Sequence, residues 1–137
     1  MKNRPLLRAY LAGIAVPTAF LLVIMSSYTV MRYVYDLPVP IERVIVFPMA
    51  FVPNLWGLWN VLHSAFLAQR GVSLGFFGAL LPLILAPLGY GVAQLLHFPI
   101  PHHVLTLAPI GVAIGMILYY LAWKYFVSSL NTELGIK

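Results

Sequence analysis

The run AYLAGIAVPTAFLLVIMSSYTVM, residues 9–31, lies between Arg8 and Arg32 and contains no charged side chain. A helix crossing a hydrocarbon layer of about 30 Å needs about 20 apolar residues. This run is long enough, and it reads as a membrane-spanning helix. Three more such stretches follow it. With the first, they place spans at about 6–33, 44–68, 72–96 and 104–127. The connections DLPVPIE, AQRG and HFPIPHH are too short to hold a second domain, so residues 1–137 are read as one unit. The tail SSLNTELGIK is polar and is read as solvated.

Composition supports this reading. Of 137 residues, 62% are hydrophobic and 8% are charged, with a mean hydropathy of +0.95. Soluble domains carry about 25% charged residues. So few charges cannot cover a water-soluble globule, which excludes a soluble enzyme, a secreted disulfide domain and a disordered tail. The absence of cysteine excludes disulfides, thiolate metal sites and cysteine nucleophiles. The net charge is +5, but the basic residues sit at span ends rather than along one stripe, so no nucleic-acid partner is implied. The basic MKNRPLLR start resembles a signal-peptide n-region. The apolar run after it exceeds the usual ~7–15 residues, and no small-residue cleavage site follows, so a retained signal-anchor helix is expected.

Lys and Arg placement predicts orientation. With both termini cytoplasmic, Lys2, Arg4, Arg8, Arg70, Lys124 and Lys137 lie inside, and Arg32 and Arg43 lie outside, offset by Asp36 and Glu42. This is a positive-inside pattern. The expected fold is an all-α integral membrane protein, an antiparallel bundle of four transmembrane helices with N-in/C-in topology and proline kinks. The expected location is the cytoplasmic (inner) membrane.

Every span carries proline: Pro17, Pro48 and Pro53, Pro82 and Pro87, and Pro109. Proline removes a backbone donor and bends or breaks a helix. Pro82 and Pro87 lie well inside the third span, so a bend or break is expected there. Lipid tails are as apolar as leucine, so helices in a bilayer associate through close contact at small residues. Gly111 and Gly115 form a GxxxG pair in the fourth span. Gly71, Gly75 and Gly78 open the third, and Ala9 and Gly13 lie in the first. These are the expected contact faces.

The spacing of Pro48, Pro53, Gly57 and His63 recurs in Pro82, Pro87, Gly91 and His97, with Trp56 matching Tyr90 and Asn60 matching Gln94. An inverted repeat of this kind often frames a transport site. Aromatic, amide and histidine fall at i, i+4 and i+7, on one helix face. The expected role of each histidine is to cap orphan carbonyls at its helix C-terminus. His63 lies inside the second span, where a polar residue faces the bundle or a cavity. It is the candidate for a haem ligand, quinone donor, proton relay or structural partner. His97, His102 and His103 gather at the other end with Asp36 and Glu42 and are candidate metal ligands, though their spacing matches no known ligand signature. Aromatics near the span ends, among them Tyr33, Tyr35 and Tyr125, form an interfacial belt. The spans contain no Asp or Glu, which argues against a classical proton antiporter.

The first functional expectation is a non-catalytic membrane subunit, accessory to a larger complex or self-assembling, whose partners are the bilayer and another protein or a second copy. The alternative is a small homo-oligomeric channel or carrier. Its ligand-binding or pore-lining residues would be Asn60, His63, Trp56, Gln94 and Tyr90, with the Pro82–Pro87 break. A second alternative is a quinone- or haem-associated subunit using His63 and Trp56. No catalytic residue and no cofactor is assigned.

Overall fold

The computed structural model describes residues 4–136; Lys2 and Lys137 of the charge pattern lie outside the described residues. All regular structure among the described residues is helical. Four helices are long and apolar enough to cross a membrane: α1 (Pro5–Tyr33), α2 (Ile41–Arg70), α3 (Leu74–Leu95) and α4 (His102–Glu133). The largest difference from the expected spans lies in the tail. Ser128–Glu133 continues α4 as helix, and Asn131 within it is buried.

Proline shapes the helices unequally. α1 passes through Pro17, and α4 through Pro109, as unbroken α-helix. α2 is irregular, with a π-helical turn at Ile45–Met49 around Pro48, a second at His63–Leu67 and a 3₁₀ turn at Ala68–Arg70. Pro48 has no N–H to give to the preceding turn, and a π turn accommodates the missing bond. α3 breaks at Leu80, between Leu74–Ala79 and Leu81–Leu95. The break precedes Pro82 instead of lying between Pro82 and Pro87. Pro82 sits in the first turn of the second segment, where its missing donor costs little. Pro87 lies within intact helix.

Helix ends use left-handed residues. Gly71 follows α2 with φ +71°, and a Cβ placed on it would meet nothing within 4 Å. Its role is therefore the turn and not helix packing. It lets the Gly71 and Val72 amides donate back to Ala68 and Leu67. α3 closes the same way on His97, with φ 55°. The His97 amide donates to the Gln94 carbonyl at 3.1 Å, and Phe98 donates to Ala93 at 2.9 Å. Cβ crowding makes this conformation cost about 1–2 kcal/mol for an ordinary residue. Glycine removes that cost but loses more unfolded-chain entropy. His97→Gly is accordingly expected to raise stability by up to about 1 kcal/mol. Thermal melting in detergent checks this, and a lowered midpoint would assign the histidine side chain a stabilising role.

α1 lies along α2, α3 packs on α4, and the C-terminal part of α4 returns against α1. Glycines set two of these contacts. A Cβ on Gly13 would come within 2.6 Å of the Trp56 carbonyl oxygen and 2.8 Å of Gly57 Cα, so α1 and α2 meet backbone to backbone. A Cβ on Gly78 would fall 2.0 Å from Trp123 Cγ, and one on Gly75 3.1 Å from Tyr120 and Lys124. The GxxxG pair behaves differently. Gly111 meets nothing within 4 Å, and Gly115 meets only Pro82, at 3.7 Å.

The buried residues are unevenly placed. Ile41 apart, those among the described residues run from one end of the bundle, which holds the start of α1, the end of α2, the start of α3 and the end of α4, to its middle at Leu21 and Leu85. Trp56, Leu81, Trp123 and Val127 form its core. Toward the opposite end the helices spread. His102–Ala122 of α4 buries no residue at all.

Candidate functional site

The closed end contains the buried polar groups. Trp56, Asn60 and His63 are all buried, as their i, i+4, i+7 spacing on α2 requires for one inward face. Asn60 is fully enclosed, at 0% exposure. Its Nδ2 donates to the Ala9 carbonyl at 2.7 Å and to Asn131 Oδ1 at 2.8 Å. Asn131 Nδ2 donates back to Asn60 Oδ1 at 3.0 Å. One amide pair thereby ties α1, α2 and α4 together. Both Nδ2 hydrogens of Asn60 are used, so it has no donor left for a ligand without breaking one of these bonds.

Asn131 was not legible as a site residue because it sits in a polar tail. The available signal was spacing. Trp123, Val127 and Asn131 follow each other by four residues and are all buried. The π turn at Trp123–Val127 widens the helix there and keeps those positions on one side. Asn54 is a second amide engaged between helices; it accepts from the Tyr10 hydroxyl and donates to the Ala50 carbonyl.

His63 starts the second π turn of α2, and its Nε2 lies 2.8 Å from the Val72 carbonyl oxygen. A carbonyl can only accept, so Nε2 carries the proton. The histidine therefore clamps the start of the next helix instead of capping its own. Its ring lies 5.6 Å from that of Phe77, which stacks on Trp59 at 4.4 Å. Trp59 Nε1 donates to the Phe77 carbonyl, next to the break in α3. The serine and threonine hydroxyls in the second half of α1 turn back on their own helix. Ser26, Ser27 and Thr29 each donate to the carbonyl four residues earlier.

Beside the amide pair, Trp56 contacts Trp123 at 5.1 Å and Tyr119 at 4.8 Å between ring centroids. The indole N–H groups of Trp56 and Trp123 are buried without a hydrogen-bond partner. Trp56 also lines an apolar cavity of about 390 Å³ between α1, α2 and α4, with Pro17, Phe20, Val52 and Phe126.

The second set of repeat-matched residues is placed differently. Tyr90, Gln94 and His97 are exposed near the spread end, so the two matched stripes do not share one chamber. His97 ends α3, while His102 and His103 begin α4. Among the described residues, no three His, Cys, Asp or Glu side chains gather as a metal-binding group. His63 sits at the other end, apart from these three histidines. The spread end carries one ion pair among the described residues, Arg32 to Glu42 at 2.6 Å. Arg43 next to it makes no ion pair among the described residues, and its guanidinium lies 5.8 Å from the Phe98 ring centroid.

Comparison with protein-family models, with curated proteins and with solved structures returns no match.

Proposed function

We propose that the chain is a small polytopic membrane protein acting as a non-catalytic subunit. It self-assembles or joins a larger complex, and both termini lie on the cytoplasmic side of the cytoplasmic membrane. The Lys and Arg pattern supports that orientation. The closed end supports the non-catalytic part, because Asn60, Asn131 and His63 are spent on holding helices together.

The observation that carries the reading is the bare face of α4. Leu107, Ile110, Ile114, Ile117 and Leu121 repeat at heptad spacing, and each is between 43% and 62% exposed. Such a seam accepts the knobs of a partner helix. In a bilayer the gain comes from close packing and not from hydrophobicity.

The absence of cysteine allows a clean test. Ile110→Cys, Ile114→Cys and Ile117→Cys, oxidised in native membranes, are expected to give covalent dimers or partner adducts. Phe20→Cys and Leu83→Cys, equally apolar and exposed on other helices, are expected to stay largely uncrosslinked. Equal crosslinking at all five positions, or none on α4 together with recovery of lone monomer in mild detergent, would overturn the reading.

A further inference from the structure

The spread end of the bundle contains a furrow. Three cavities, of about 340, 280 and 330 Å³, lie between the first half of α2, the second half of α3 and the first half of α4. They adjoin one another and share walls. Phe47 and Pro48 line the first two, Gly89 and Arg43 the last two, and Ala86 and Ala108 the first and third. Small residues make the floor: a Cβ on Gly111 would meet nothing within 4 Å. Prolines mark its walls: Pro48 sits in a π turn of α2, and the Pro99–Pro101 loop carries the chain from α3 to α4.

The furrow is apolar along its length and cationic at its mouth. Arg43 lines both outer cavities and has no acidic partner among the described residues, because neighbouring Glu42 is held by Arg32. A planar guanidinium presents a fork of donors that matches a phosphate. Hydrocarbon beneath and phosphate above describe one occupant. We propose that this furrow binds a single anionic phospholipid, with an acyl chain along Ala86, Ala108 and Gly111 and its phosphodiester on Arg43. A second copy of the chain fits the mouth less well. The whole sequence has three acidic residues: Glu42 is already paired, Glu133 lies at the opposite end, and Asp36, in the loop before α2, is the one carboxylate a second copy could bring to Arg43. The furrow is lined by a different stripe of α4 from the heptad seam, so the inference stands whether or not the seam is occupied.

The test uses the full chain in nanodiscs of phosphatidylcholine doped with phosphatidylglycerol of matched acyl chains. Native mass spectrometry then counts the lipids retained on release. Wild type is expected to retain one phosphatidylglycerol about tenfold more strongly than phosphatidylcholine, because both present a phosphodiester to Arg43 but only phosphatidylcholine adds a quaternary ammonium that the guanidinium repels. Arg43→Gln is expected to abolish that preference. Arg32→Gln, at the ion-paired arginine, is expected to keep it. Gly111→Leu fills the furrow without a Cβ clash and is expected to reduce retention of both lipids. Each variant's melting in detergent reports folding, and the Arg43→Gln comparison stands even where Gly111→Leu fails to fold. Equal retention of the two lipids by wild type, an unchanged preference in Arg43→Gln, or a dimer that forms at the furrow and excludes lipid would each overturn the proposal.

Discussion

Gly13→Ala is expected to destabilise the protein, although the same change in an open helix stabilises it. Replacing glycine by alanine within a helix gains about 1 kcal/mol from backbone propensity. At Gly13 the added methyl meets the Trp56 carbonyl oxygen at 2.6 Å and Gly57 Cα at 2.8 Å. Both are backbone atoms of α2, so no side chain can swing aside. The helices must separate, and α1 against α2 is the most extensive contact in the bundle. Overpacking a tight contact costs about 1–3 kcal/mol, and more where nothing can yield. The upper part of that range outweighs the propensity gain, leaving a net loss of about 2 kcal/mol. Gly111→Ala is the matched control, because its Cβ meets nothing and only the gain remains. Detergent melting of the two variants is expected to move in opposite directions. A rise in both would mean that α1 and α2 do not cross at Gly13.

Asn60→Ala is the other large effect. The substitution leaves the Asn131 amide without a partner inside an apolar core and frees the Ala9 carbonyl. A buried polar group left unpaired costs about 1–3 kcal/mol. Removing both partners is gentler. In the Asn60→Leu/Asn131→Leu double variant no orphan amide remains, and replacing a buried polar pair by apolar residues is often close to neutral. The expected result is that each single Leu variant melts lower than the double variant. Such strong non-additivity is what a direct contact produces. Additive losses would show that the two amides act independently, and the tie between α2 and α4 would then have to lie elsewhere.

These two expectations also mark how far the sequence could be read. The four apolar helices were legible because charge is confined to the span ends, and each stretch exceeds the length a membrane requires. The inward face of α2 was legible because Trp56, Asn60 and His63 follow helical spacing. Asn131 was not, since SSLNTE is polar by composition and only its distance from Trp123 and Val127 places it in the core. The glycines could be identified as contact candidates but not sorted. Gly75 and Gly78 pack on α4, Gly71 turns the chain, and Gly111 faces open space.

Composition and periodicity act along the chain. They determined the number of helices and marked the prolines and the two polar stripes, without deciding which proline breaks a helix or which stripe turns inward. Partnership acts across the chain, between residues far apart in sequence, and no local pattern encodes it. Only the tertiary structure decided that Asn60 is closed by Asn131 and that His63 holds Val72 instead of its own helix end. It likewise decided that Glu42 is taken by Arg32 while Arg43 stands free at the head of an apolar furrow. The physical reason is that a side chain's chemistry is fixed by its type, while its availability depends on whether another element has already satisfied it.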